Sequence, residues 1–258
     1  MKRISKRVTF GNGRGQQLAG IMEWPTCPPR CFTVFSHCFT CTKDLKAAVR
    51  ISRRLAERGY CVLRYDFTGL SGSTGDFSKT NFTTNCLDLK AAAAWLGREF
   101  EPPRLLIGHS LGGTATAVTA DQIESVDAIV TIASLGSTVR LAGFLDQSNP
   151  QIGISGSGRV VIGGSEFLLR AQLLHDLRSY DIEAELSRLQ LPILAFHSPD
   201  DETLPYAWGL QMFEAIQSPK SFVTLDQADH LLVNRPGDVT WVADLIDQWA
   251  GRYLPPWA

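Results

Sequence analysis

The stretch that most limits how this chain can fold is Ile107-Gly108-His109-Ser110-Leu111-Gly112-Gly113. It follows the apolar run Arg104-Leu105-Leu106-Ile107 and precedes an Ala/Thr/Val-rich stretch, 114–120, so it reads as strand, sharp turn, helix. Gly108-His109-Ser110-Leu111-Gly112 is a G-x-S-x-G pentapeptide in the context that gives it meaning. A serine on such a turn projects its hydroxyl above a sheet, and glycines two residues to either side let strand and helix approach closely. The N-terminus of the following helix aims backbone N–H groups at the place where an oxyanion would form. A glycine-rich turn with an idle serine would carry the same letters, so the remaining chain must supply the partners.

Strand-like and helix-like segments alternate around this turn. Residues 4–10 and 17–24 read as two strands joined by Gly11-Asn12-Gly13-Arg14-Gly15, a hairpin-type loop. Buried strands are expected at 31–36, 60–65, 104–107, 127–135, 191–197 and 221–225, and helices at 45–58, 81–100, 205–216 and 238–253. This alternation predicts an α/β fold with a mostly parallel sheet covered on both faces and an antiparallel edge at the N-terminus. Residues 136–188 interrupt it. Within them, 159–168 reads as a hairpin around Gly163-Gly164, followed by helical pieces at 168–177 and 182–189. We expect an inserted cap over the C-terminal ends of the strands, where open α/β sheets bind ligands.

Composition excludes several classes. The 258 residues carry a net charge of −1, which offers nothing to nucleic acid or an anionic membrane. No apolar run approaches the roughly 18 residues of a membrane span. The basic start Met1-Lys2-Arg3 lacks the apolar core of a secretory signal, so a soluble, cytoplasmic protein is expected. The Gly/Ser-rich loop 66–75 lacks the lysine and spacing of a phosphate cradle. For six cysteines in such a chain, free thiols are the expectation. Cys38-Phe39-Thr40-Cys41 is formally C-x-x-C, but no second pair completes a zinc site.

A nucleophilic serine needs a base, and the base needs an orienting carboxylate. On strand–turn–helix nucleophile sites these follow in the order Ser, Asp/Glu, His. His230 is the only one of five histidines beyond residue 197 and is the expected base. The acid should follow the strand ending at His197, where Asp200, Asp201 and Glu202 all stand, and periodicity does not choose among them.

Five motifs in order now resemble those of the α/β-hydrolases, over nearly the whole chain. His37-Cys38-Phe39-Thr40 resembles the His-Gly-x-x oxyanion loop. Arg64-Tyr65-Asp66-Phe67-Thr68-Gly69 with Ser71-Gly72-Ser73 resembles the R-x-D-x-x-G-x-G-x-S turn. The elbow at Ser110 matches, as does Ala228-Asp229-His230. His197-Ser198-Pro199-Asp200-Asp201-Glu202-Thr203-Leu204-Pro205 resembles HGxxDxxVP, which implies Asp201 as the acid. Cys38 departs from the family's glycine.

The resemblance implies one α/β-hydrolase domain over 1–258, with about eight strands and the cap at 136–188. Catalysis would lie with Ser110, Asp201 and His230, and the oxyanion would bind the N–H groups of Phe39 and Leu111. His37, Cys38, His109, Phe144 and Phe167 are expected to contact substrate. Neither cofactor nor metal is implied, and the partner is a small-molecule ester. More narrowly, the motifs resemble a hydrolase domain found fused to OsmC-like domains, which implies an OsmC-like partner domain, and the cinnamoyl/feruloyl-type esterases. The expectation is a serine carboxylesterase for short or aromatic acyl groups. Thioester or amide cleavage and cofactor-free peroxidation would use the same triad, and a non-catalytic thiol-linked module is the reading from another class.

Overall fold

Six-residue apolar runs and amphipathic segments alternate along the chain, and the computed structural model, which describes residues 3–255, turns them into a sheet sandwiched by helices. The strands are β1 (Arg3–Gly11), β2 (Gln17–Pro25), β3 (Cys31–Ser36), β4 (Tyr60–Tyr65), β5 (Leu105–His109) and β6 (Ala128–Ile132). The hairpin β7 (Ser157–Ile162) and β8 (Ser165–Arg170) follows, then β9 (Ile193–His197) and β10 (Lys220–Thr224). The helices are α1 (Lys46–Glu57), α2 (Phe82–Glu99), α3 (Leu111–Thr119), α4 (Thr138–Ser148), α5 (Gln151–Ile154), α6 (Ala171–Ser179), α7 (Ile182–Arg188), α8 (Tyr206–Ala215) and α9 (Pro236–Ala250).

Eight strands form one sheet in the order β1-β2-β4-β3-β5-β6-β9-β10. β1 and β2 pair antiparallel, β2 joins β4 antiparallel, and all later neighbours are parallel. β3, β4, β5, β6 and β9 are buried along their whole length, as apolar strands covered on both faces must be. One face packs under α1 and α9 through Ile51, Leu55, Val242 and Ile246; the other packs under α2 and α3 through Leu89, Leu96 and Ala115. From β3 the chain moves outward to β4, then returns across β3 to β5. In open α/β sheets such a reversal marks the carboxyl ends of the flanking strands, here β3 and β5, as the ligand-binding edge.

The segment 136–188 is more regular than the sequence suggests. The expected hairpin is there, but the helices α4 and α5 precede it and α6 begins only at Ala171. Leu145, Leu173, Leu174 and Leu177 bury their side chains in the main core. Arg170 Nε donates to Ser78 Oγ at 3.1 Å and Gln172 Nε2 to the Ser78 carbonyl at 2.8 Å, which seats the segment on the turn 77–79. No helix among the described residues is long and apolar enough to cross a membrane.

A buried ionic cluster ties the sheet to the loop after β3. Arg64 Nη2 meets Glu23 Oε1 at 2.7 Å, while Arg64 Nη1 donates to the Lys43 carbonyl at 2.7 Å. Burial opposes ionisation of Glu23, but bonds from Ser5 and Arg64 and the charges of Arg64 and Arg3 hold its carboxyl below the usual value. Asp66 Oδ1 accepts the Lys43 N–H at 2.7 Å, a second anchor for the same loop. Replacing Glu23 with Ala should leave the buried Arg64 guanidinium with only the exposed Asp44 carboxylate, 3.1 Å from Nη1, as its ionic partner and cost about 3 kcal/mol of stability. Urea unfolding measures this, and a loss within about 0.5 kcal/mol, the range of a surface substitution, would refute it.

Candidate active site

Ser110 follows β5 directly and has φ 54° and ψ −126°. A positive φ at a residue with a Cβ is strained by roughly 1–3 kcal/mol, so the surrounding structure must impose it. Two contacts do so. Ser110 N–H donates to the Ile132 carbonyl at 2.8 Å, and the Ser110 carbonyl accepts Gly113 N–H at 2.9 Å as α3 begins. A Cβ at Gly108 would collide with Gly112 and Gly113, and a Cβ at Gly112 would strike the carbonyl of His37 and come within 2.7 Å of that of Ser36. The elbow helix therefore starts against the backbone of the loop after β3. Ser110 is 8% exposed, and its side chain holds no hydrogen bond among the described residues.

The base and acid expected from the sequence meet. His230 Nδ1 donates to Asp201 Oδ2 at 2.7 Å. Asp201 Oδ1 accepts the N–H groups of Thr203 and Leu204, both at 2.8 Å. Burial works against the Asp201 carboxylate, but its bond to and attraction by His230, with the two backbone donors, hold its pKa below the ordinary value. Asp200, which periodicity could not separate from Asp201, is exposed and accepts Gln227 N–H at 2.9 Å, closing the loop that carries His230. With Nδ1 protonated, His230 Nε2 is left with its lone pair.

Three other histidines are buried, and each donates one N–H to a carbonyl of a site loop. His37 Nδ1 donates to the Cys38 carbonyl at 2.7 Å, and its Nε2 accepts Phe67 N–H at 3.2 Å. His109 Nε2 donates to the His230 carbonyl at 2.8 Å. His197 Nε2 donates to the Leu204 carbonyl at 3.0 Å, on the turn that carries Asp201. Burial lowers all three pKa values, His37 to about 4 and His109 to about 3, so these rings are neutral donors at pH 7. Sequence reasoning missed the bracing role of His109 and His197; the available signal was a histidine ending an otherwise apolar strand.

The residues expected to contact substrate differ in burial, and one cysteine expectation is corrected. His37 and His109, each 1% exposed, brace backbone, and Cys38, between His37 and the aromatic Phe39, is buried as well. Phe144 is 59% exposed on α4, while Phe167 is half-buried and meets Phe77 at 5.4 Å between ring centroids. Cys38 and Cys41 are not free thiols but form a disulfide, because the tight turn closed by Cys41 N–H on the Cys38 carbonyl brings their Cα atoms to 5.2 Å. Leu111 opens α3, where the first N–H groups have no acceptor within the helix, and Phe39 N–H also finds none among the described residues.

The depressed histidines make stability depend on pH. An unfolded histidine titrates near 6.5, whereas His37 and His109 stay neutral to about 4 and about 3. Between about pH 6.5 and 4 the unfolded chain therefore binds protons that the folded protein refuses, so stability falls as pH falls. The slope per histidine is at most about 1.4 kcal/mol per pH unit. His109→Gln keeps a donor for the His230 carbonyl but cannot titrate, so its stability should fall less between pH 7 and pH 5. Equal losses for wild type and variant by chemical denaturation would contradict the assignment.

The family model described as Alpha/beta hydrolase family matches residues 31–242. An esterase domain of a Rhodothermus marinus protein is 38% identical, over 98% of this chain and all of that one, with a TM-score of 0.78. Est1E of Butyrivibrio proteoclasticus, solved with ferulic acid bound, shares the fold at a TM-score of 0.80, with 16% identity over 95% of this chain and 98% of its own. Lysophosphatidylserine lipase ABHD12 of Danio rerio is 28% identical over 178 residues, which are 67% of this chain and 44% of that protein, so the chain spans less than half of that relative's length. A match of this extent, over the sheet and elbow just described, makes the chain a member of the α/β-hydrolase family of hydrolytic enzymes.

Proposed function

We propose that the protein is a serine carboxylesterase acting through Ser110, His230 and Asp201. The observation that carries this is the 2.7 Å bond from His230 Nδ1 to Asp201, beside a serine held at positive φ. The bond keeps the imidazole in the tautomer whose Nε2 can take a proton, and the His109–His230 bond holds that loop against the elbow. When an ester enters, the free Ser110 hydroxyl turns to His230 Nε2, a contact that commonly tightens only with substrate present. Ser110 Oγ attacks the acyl carbon and its proton passes to His230, which returns it to the leaving alcohol. The N–H groups of Phe39 and Leu111 would bind the oxyanion, and water, activated by the same imidazole, then frees the acid. Thioester and amide bonds are the alternatives on the same residues.

The substrate class rests on the aromatic row above the loop after β3. Phe39 meets Phe77 at 5.6 Å and Phe77 meets Phe167 of β8 at 5.4 Å, and all three rings are half-buried. These faces offer a short or aromatic acyl group a stacking surface that a long flexible chain uses poorly. In this reading 136–188 is a substrate cap. The single-chain lipid named for the Danio rerio relative sets the competing expectation, a preference rising with chain length.

Ser110→Ala should lower ester hydrolysis by several orders of magnitude and lose labelling by a fluorophosphonate, with His230→Ala adding little on top. Labelling that persists in Ser110→Ala would sink the nucleophile. Asp201→Asn should cost orders of magnitude in kcat because the amide cannot enforce the Nδ1–H tautomer, whereas Asp200→Asn keeps its acceptor for Gln227 and should be mild. A p-nitrophenyl ester panel should peak at short or aromatic acyl groups, and Phe77→Ala should flatten that peak by up to about 1–3 kcal/mol in relative kcat/KM. A preference that climbs steadily to long chains would replace this substrate class with a lipase.

A further inference from the structure

The Cys38–Cys41 disulfide encloses Phe39, whose N–H the proposed mechanism uses for the oxyanion. Phe39 N–H and the Cys38 carbonyl belong to one planar trans peptide, so they point in opposite directions and turn together. That carbonyl is held twice: it accepts His37 Nδ1–H at 2.7 Å and Cys41 N–H at 3.2 Å. The disulfide spans the same turn and ties Cys41, the donor of that second bond, to Cys38. Fixing the carbonyl therefore fixes the direction in which Phe39 N–H is presented, and the disulfide is one of its two clamps.

Its placement argues for a local role rather than a general staple. It closes a loop of four residues, the size at which cross-linking restrains the unfolded chain least. The remaining cysteines are unpaired; burial pushes the Cys31 and Cys86 thiols up to about 11 and that of Cys61 up as well, so these are unreactive core groups. Cys38 is buried at 4% exposure, whereas Cys41 is only half-buried, so an incoming thiolate can approach the pair at Cys41 Sγ.

We propose that the Cys38–Cys41 disulfide is a positioning element of the oxyanion site, and that its reduction lowers kcat while substrate binding persists. The inference rests on the reading of Phe39 as an oxyanion donor. With a dithiol as reductant, its thiolate attacks Cys41 Sγ, the Cys38–Cys41 bond breaks and Cys38 leaves as a thiolate that takes a proton. The second thiol of the reductant then displaces Cys41, which is protonated in turn, and the reductant departs as its cyclic disulfide. Two electrons and two protons have passed to the protein. Cys41 is then free to move off the Cys38 carbonyl, and the peptide bearing Phe39 N–H keeps only the His37 clamp.

The test compares the oxidised protein with protein reduced by dithiothreitol, the state being verified by mass. Hydrolysis of p-nitrophenyl acetate should lose at least about tenfold in kcat with KM changed less than about twofold, within the effect of losing one oxyanion donor. Affinity for a trifluoromethyl ketone, whose serine adduct places an oxyanion in the same site, should fall in parallel, a readout that a merely structural staple would not move. Reoxidation should restore both, Cys41→Ser should behave as the reduced enzyme and ignore dithiothreitol, and Cys27→Ser should respond as wild type. An oxidised enzyme that hydrolyses the ester, labels with fluorophosphonate at Ser110 and keeps its kcat and ketone affinity on reduction overturns the proposal and leaves the esterase reading standing. An oxidised protein that neither hydrolyses nor labels overturns both.

Discussion

The carbonyl oxygens of Ser36 and His37 occupy the space where a side chain at position 112 would stand, and the site is built on that contact. β3 and β5 are parallel neighbours paired Ser36 to Gly108, so they release their loops at the same level. Only because residue 112 ends at its Cα can the N-terminus of α3 press against the loop carrying Phe39. The strain at Ser110 follows from the same requirement: the chain must turn from strand to helix within one residue beneath another backbone. The bond from Ser110 N–H to the Ile132 carbonyl and that from Gly113 N–H to the Ser110 carbonyl hold that turn.

Around this contact, burial sorts the histidines into two kinds. A charged imidazole is expensive in an apolar surround, so His37, His109 and His197 remain neutral and use one N–H each on a loop carbonyl. Each brace secures a different loop: the one after β3, the one carrying His230, and the turn of Asp201. His230 differs because its N–H meets a carboxylate, which fixes its tautomer and leaves Nε2 with its lone pair. His175, in α6, is exposed and takes no part. The outer anchor is ionic: Arg64 links Glu23 of β2 to the Lys43 carbonyl just beyond the disulfide.

Much of the fold was legible because its signals are local. Apolar runs such as Tyr60–Tyr65 and Ile193–His197 mark strands covered on both faces, and breakers such as Gly59 and Pro102 end the helices. Element ends shifted by a few residues, where caps rather than periodicity decide. The insertion read less well. Its hairpin was visible around Gly163-Gly164, but α4 and α5 were not: α4 buries only Thr138, Ala142 and Leu145 and leaves Val139 and Phe144 exposed, and α5 is four residues long, too short to show a helical period.

The sequence by itself determined the α/β class and the strand–turn–helix at Ser110 and singled out His230 as the candidate base, because turn chemistry and chain order are written in neighbouring residues. Chain order narrowed the candidate acid to adjacent carboxylates, and only the motif resemblance pointed to Asp201. Tertiary structure supplies the physical reason for the difference: after β9 the backbone turns Asp201 inward to His230 and leaves Asp200 outside to accept the Gln227 N–H. Tertiary structure also made Cys38 and Cys41 a bonded pair, since the turn's closure depends on the backbone path and not on the letters between them. The same holds for the bracing histidines, whose partners lie up to 121 residues away in the chain. The bonds of His109 to the His230 carbonyl and of His230 to Asp201 depend on which loops the sheet order brings to one edge, and no local pattern encodes that.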